Sequence, residues 1–208
     1  MIREFLARKL AGGRLLIGQA VCFGDFRIRH ADDEGRDPAT LEIFRDPADA
    51  IRIATWTDDG GYRPLKSAPN LRHGWELHAG SLDGLRLALD YLYPAALGNA
   101  LAVESGEAIA CQLRDTLGRQ TGMYAVTKKI TDDEADKLIR SACDDTSRCL
   151  KKIIWPVGPG RPSPLTHAKV DFPDGVVPLI CAEACSLLVA GARSVVKSRP
   201  SPTASAVS

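Results

Sequence analysis

Four cysteines in the last third of the chain have residue types and spacings that could hold a metal centre. Cys143-Asp-Asp-Thr-Ser-Arg-Cys149 places five residues between two sulfurs, and Cys181-Ala-Glu-Ala-Cys185 places three. Four thiolates are what a cubane iron–sulfur cluster needs, and also what a tetrahedral structural zinc needs. A third reading is burial, because cysteine is among the most buried residue types. Cys22, in an apolar strand, and Cys111, on an apolar helix face, are read as core residues. Zinc pairs are usually separated by two to four residues, so the five-residue gap fits zinc less well. The third closely spaced cysteine that a radical-SAM or ferredoxin run requires is absent after Cys185.

The elements predicted to position these sulfurs are helices. A capping-box pattern at Thr131-Asp132-Asp133-Glu134 starts a helix that runs to about Cys143. Lys152–Trp155 reads as a short apolar strand. Pro156, Pro159, Pro162, Pro164 and Pro173 mark a loop to about Asp174. Pro178 is read as opening the last helix, which runs to about Lys197. In that reading Cys181 and Cys185, four apart, share one helix face. Cys181 then lies in the first turn, where free amides and the positive dipole end stabilise thiolate. Arg148, Lys151 and Lys152 supply cations beside Cys149.

Upstream, apolar spacing predicts a helix over Ile2–Leu10 and strands over Leu15–Phe23 and Phe26–His30, the latter two joined at Gly24-Asp25. Leu41–Phe44 and Trp75–His78 also read as strands. Asp46-Pro47 and Ser81 are helix starts. Helices are expected over Ala95–Val103 and Ala108–Leu117, and a strand over Met123–Val126. The sum is α+β, with short mixed or antiparallel strands and several helices. One compact domain is expected over 1–197, its metal site within about 140–197, followed by a disordered tail over 198–208.

The 208 residues carry a formal net charge of +1, with no run of one sign, so no field points to nucleic acid or to a membrane surface. No segment has the roughly eighteen apolar residues a span requires. Arg3, Arg8, Lys9 and Arg14 precede an apolar stretch, but no small-residue cleavage pattern follows it. A cytoplasmic location is expected, where metal binding or burial suits six cysteines better than disulfides. No phosphate loop, dinucleotide fingerprint or nucleophile–base arrangement is present, so no catalytic residue is assigned. His30, His73, His78 and His167 lie in unrelated sequence contexts. Asp32, Asp33 and Glu34 read as a solvated loop. Tyr62-Arg63-Pro64 and Arg119-Gln120-Thr121 read as turns tied by an arginine, or as anion sites.

Cys143-Asp-Asp-Thr-Ser-Arg-Cys149-Leu-Lys-Lys-Ile-Ile-Trp-Pro156 and Pro178-Leu-Ile-Cys-Ala-Glu-Ala-Cys185 resemble the 4Fe–4S cluster-binding domain associated with CbiX-like sirohydrochlorin cobaltochelatases, a Deinococcus-type family. Gly61-Tyr-Arg-Pro-Leu-Lys66, Ala68-Pro-Asn-Leu-Arg-His-Gly-Trp75 and Gly118-Arg-Gln-Thr-Gly-Met-Tyr124 carry the same resemblance, which covers about 14–197. It implies a 4Fe–4S cluster on Cys143, Cys149, Cys181 and Cys185, and a tetrapyrrole or cobalamin setting. It also implies electron transfer or a cluster-stabilised accessory role beside a separately encoded CbiX-like chelatase or redox partner. The histidine pair of such a chelatase is not assignable here, so the chain is read as lacking the chelatase module. The alternatives are a zinc-stapled interaction module and a tetrapyrrole-binding enzyme component.

Overall fold

Short alternating segments separated by glycine turns build most of the first half of the chain. The computed structural model describes residues 1–54, 71–143, 149–166 and 169–199. The architecture is α+β and resolves into two compact units, 1–108 with 150–152 and 168–180, and 109–149 with 153–167 and 181–208.

In the first unit, α1 (Ile2–Lys9) leads into β1 (Arg14–Ile17), β2 (Ala20–Phe23) and β3 (Arg27–His30). Then come β4 (Glu42–Phe44), α2 (Ala50–Ala54), β5 (Trp75–His78), α3 (Leu82–Leu92) and α4 (Ala96–Glu104). A late segment, β7 (Val176–Val177), completes a mixed sheet in the order β4-β5-β3-β2-β1-β7. The β1–β2, β2–β3 and β3–β5 pairs are antiparallel, whereas β4–β5 and β1–β7 are parallel. Leu15, Ile17, Ile28, Trp75 and Leu77 from the sheet pack with Phe5, Leu6, Leu85, Leu89 and Leu92 from the helices.

The stretch expected to be one strand over Leu15–Phe23 is instead a hairpin. Gly18 breaks it, with φ of +56°, a conformation that a Cβ resists. A Cβ at Gly18 would stand 2.6 Å from Cζ of Tyr93. That ring is itself held by the Gln19 N–H, which donates to Tyr93 Oη at 2.8 Å. Left-handed strain of about 1 kcal/mol and overpacking of about 1–3 kcal/mol combine here. Gly18→Ala is expected to destabilise the chain by about 2–4 kcal/mol, read as a lower urea midpoint at unchanged slope.

The second unit holds α5 (Leu113–Gly118), a 3-10 helix over Gly122–Lys129, α6 (Asp132–Cys143) and α7 (Ser186–Lys197). Two short strands, β6 (Lys152–Ile153) and β8 (Ile180–Cys181), pair with each other along the stretches where the chain passes from one unit to the other. Trp155 is fully buried among Leu113, Leu117, Ile139, Leu188, Val189 and Ala192. The capping box is formed as expected: Glu134 accepts the Thr131 N–H at 2.7 Å, and Thr131 Oγ1 accepts the Glu134 N–H at 3.3 Å.

Three sequence expectations fail in this unit. Met123–Val126 is not a strand, because the Thr127 hydroxyl donates to Tyr124 O at 2.9 Å and to Leu117 O at 3.3 Å, closing a tight helical turn. The helix expected from Ala108 begins only at Leu113, so Cys111 is not helical and is only half-buried. The last helix begins at Ser186, not near Pro178.

Candidate metal centre

All four candidate ligands belong to the second unit. Cys143 ends α6, and Cys149 follows residues 144–148, which lie outside the described residues together with the expected cation Arg148. Cys181 lies in β8, and Cys185 is the N-cap of α7. Cys143, Cys181 and Cys185 pack against the core around Trp155, and all four cysteines are partly exposed. The expectation that Cys181 and Cys185 share a helix face is therefore overturned. Strand pairing at Ile180–Cys181 captures the first sulfur, and the helix expected to open near Pro178, with Cys181 in its first turn, is capped by Cys185 instead.

The segment carrying these two sulfurs is pinned from several sides. Ile154 N–H donates to Cys181 O at 3.2 Å, and Cys111 N–H to Ala182 O at 2.9 Å. Glu183 accepts from Thr116 Oγ1 at 3.0 Å and is paired with Arg119. Arg119, an anion-site candidate in the sequence, is thus occupied by an internal carboxylate. The indole Nε1–H of Trp155 donates to Cys181 Sγ at 3.2 Å. As a thiol, Cys181 also donates to Glu183 O at 3.2 Å. Deprotonation gives up that second bond and keeps the first, so Trp155 is the partner suited to a metal-bound sulfur. Nothing in the sequence singled out Trp155 for this, since a core tryptophan and a sulfur donor look alike in one dimension.

Among the described residues, no three cysteine sulfurs lie within 4.8 Å of one another. Thiolates on one tetrahedral zinc, each about 2.3 Å from the metal, stand about 4 Å apart. Those of a cubane bind four separate irons and stand further apart. Four thiol sulfurs at partly exposed positions, one of them beside a buried indole donor, could ligate either group.

The other flagged residues sort clearly. Cys22 is fully buried and its thiol is pushed up to about 12 by burial, which makes it a core residue as expected. Cys111 lies beside the pinned segment, its sulfur 3.7 Å from Thr116 Oγ1. His167, Tyr62, Arg63 and the Gly61–Lys66 block lie outside the described residues. Asp33 is buried rather than solvated, and Glu34 pairs with Arg14 at 2.7 Å. His30 and His73 do not lie in unrelated places: their ring centroids are 3.9 Å apart.

Comparison with known proteins divides the chain near residue 104, and places in its second part residues 150–152 and 168–180, which belong to the first compact unit. Residues 3–104 match the DR2241 stabilising domain, and residues 105–194 match the 4Fe-4S iron-sulfur cluster binding domain. Together the two matches run over residues 3–194 of the chain. Among solved structures it is similar to DR2241 from Deinococcus radiodurans, with a TM-score of 0.76 and 28% sequence identity. That protein is described as a multi-domain protein with structural similarity to chelatases and two additional novel domains. The match covers 94% of this chain and 41% of DR2241, so the chain spans less than half of that relative. No curated protein matches the sequence.

Proposed function

We propose that the chain holds one 4Fe–4S cluster on Cys143, Cys149, Cys181 and Cys185 and serves as a one-electron carrier beside a chelatase-like partner acting on a tetrapyrrole. The match of 105–194 to a 4Fe-4S iron-sulfur cluster binding domain, which contains all four cysteines, carries the reading. When bound, such a cluster supplies reversible one-electron chemistry. The chain's own residues supply its environment. Trp155 donates a hydrogen bond to Cys181 Sγ. Cys185 stands at the open N-terminus of α7, where amide dipoles favour negative charge. The link to a chelatase and to tetrapyrrole or cobalamin synthesis rests on the relative described as chelatase-like. The reducing cytoplasm suits cysteines kept as metal ligands, and among the described residues no helix is long and apolar enough to cross a membrane.

Redox titration of the anaerobically purified protein, followed by electron paramagnetic resonance, tests the carrier role. A single reversible one-electron couple is expected. A cluster that cannot be reduced and reoxidised without loss of iron would contradict it. Trp155→Phe keeps the ring and deletes the donor. A hydrogen bond to a charged group contributes about 1.5–3 kcal/mol, and it favours the more negative reduced state. If about 1 kcal/mol of this differs between the two states, the potential falls by about 40 mV for one electron. An unchanged potential in the variant would remove Trp155 from the account.

A further inference from the structure

The first unit contains a second constellation that the cysteine site does not use. His30 ends β3 and is buried at 2% exposure. Its Nε2 is sealed from solvent and has no hydrogen-bond partner among the described residues. Its Nδ1 accepts the Asp32 N–H at 3.2 Å and lies 3.7 Å from Asp32 Oδ2. The His73 ring faces the His30 ring with centroids 3.9 Å apart and planes tilted by 53°. One donor atom from each of His30, Asp32 and His73 lies within 4.8 Å of the other two.

We infer that His30, Asp32 and His73 form a binding site for one divalent transition-metal ion of the zinc class. Two imidazoles and one carboxylate suit zinc, cobalt or nickel better than magnesium or calcium, which prefer all-oxygen sites. Three protein ligands leave a fourth position for water or an added ligand. Metal–nitrogen bonds of about 2.0–2.1 Å bring tetrahedral donors to about 3.3 Å from one another. The side chains of Asp32 and His73 are 78% and 56% exposed, so these two are able to move inward while His30 stays fixed in the core. Their exposure also gives the ion its way in.

The surroundings suit a cation. Asp33 Oδ2 lies 3.9 Å from His73 Nδ1 and is anchored by the Gly74 N–H at 2.6 Å, while Asp33 Oδ1 is 3.4 Å from Arg36 Nη1. At 3.9 Å the Asp33 carboxylate adds negative charge beside the His73 ring without a hydrogen bond to it. An ion here would tie the end of β3 to the residues just before β5.

Zinc chloride added by dialysis to the full-length, cluster-loaded chain tests the site, with zinc and iron counted on the same sample. The wild type is expected to retain one zinc beside about four irons. His73→Ala and Asp32→Ala, both at exposed positions, are expected to bind zinc at least tenfold more weakly. Their iron content and circular dichroism should be unchanged. His30→Ala opens a core cavity and is not needed for the decision. Zinc uptake by both variants equal to that of the wild type would place the ion elsewhere and overturn the site, as would no uptake by the wild type. The iron count keeps the two centres apart: loss of iron bears on the cysteines, and loss of zinc on the histidines.

Discussion

Cys181→Ala is expected to lower bound iron from about four per chain to less than one and to abolish the broad absorbance at about 400 nm. The sulfur is one of four proposed ligands, and it is the one that receives the Trp155 indole hydrogen bond. The loss should be specific to the cluster. The segment stays pinned in the variant by Cys111 N–H on Ala182 O and by Thr116 and Arg119 on Glu183. The far-ultraviolet circular dichroism of this variant should therefore remain close to that of the wild type. Two controls sharpen the result. Cys22→Ala removes a buried core sulfur and should leave iron unchanged. Cys111→Ser alters a sulfur next to the pinned segment and should also leave iron unchanged. Iron lost from the Cys111 variant and retained by the Cys181 variant would redraw the ligand set.

The second large effect concerns Glu76 in β5. Its carboxylate is 3% exposed and pairs with Arg29, itself 5% exposed. Arg27 Nη1 stands 3.3 Å away, and His78 Nε2 lies 2.5 Å from Glu76 Oε1. Glu76→Ala leaves the Arg29 guanidinium buried beside a cavity, where among the described residues the Glu34 and Arg36 carbonyls at 3.3 and 3.1 Å remain to accept from it. Breaking a buried pair by removing one partner costs about 3–5 kcal/mol. Against a typical total of about 5–15 kcal/mol, a loss of that size leaves the first unit marginal. Chemical denaturation should show a correspondingly lower midpoint, and a change under 1 kcal/mol would mean that the pair is far less coupled than it looks.

The same group sets a pH dependence. Burial works against the Glu76 charge, but hydrogen bonds from His78 and Arg29 and the charges of Arg29 and Arg27 hold its carboxyl below the usual range. A depressed folded value stabilises the protein above the unfolded value. That stability is lost as pH falls from about 4.5 through the folded value. Glu134, held at about 2 by Arg199 and by the Thr131 cap, acts in the same direction from the surface of the second unit. Wild-type stability should therefore decline on acidification below about pH 4.5, and Glu76→Ala should flatten part of that slope.

Local signals were legible and long-range ones were not. Ser81 caps α3, Asp46 caps the turn before α2, and Thr131 with Glu134 opens α6, each through side-chain chemistry carried within a few residues. The four-cysteine set and its family resemblance were also visible, because the motifs are contiguous blocks. What failed depended on partners distant in sequence. Ile180–Cys181 follows a proline and an apolar run that suit a helix start equally well. It becomes a strand because β6, about thirty residues earlier, pairs with it. Cys111 leaves its expected helix because its N–H finds Ala182 O, and a fixed position there delays the helix to Leu113. His30 and His73 meet because β3 and β5 are sheet neighbours, with β4 placed outside β5, an order that alternation within single strands does not encode.

Iron and zinc analysis of the anaerobically purified wild-type chain, paired with its visible and paramagnetic resonance spectra, tests the central claim most directly. The account predicts a brown protein with about four irons per chain and a cubane signal on one-electron reduction. A colourless protein that takes up no iron on reconstitution, with zinc held by the four cysteines, would contradict it.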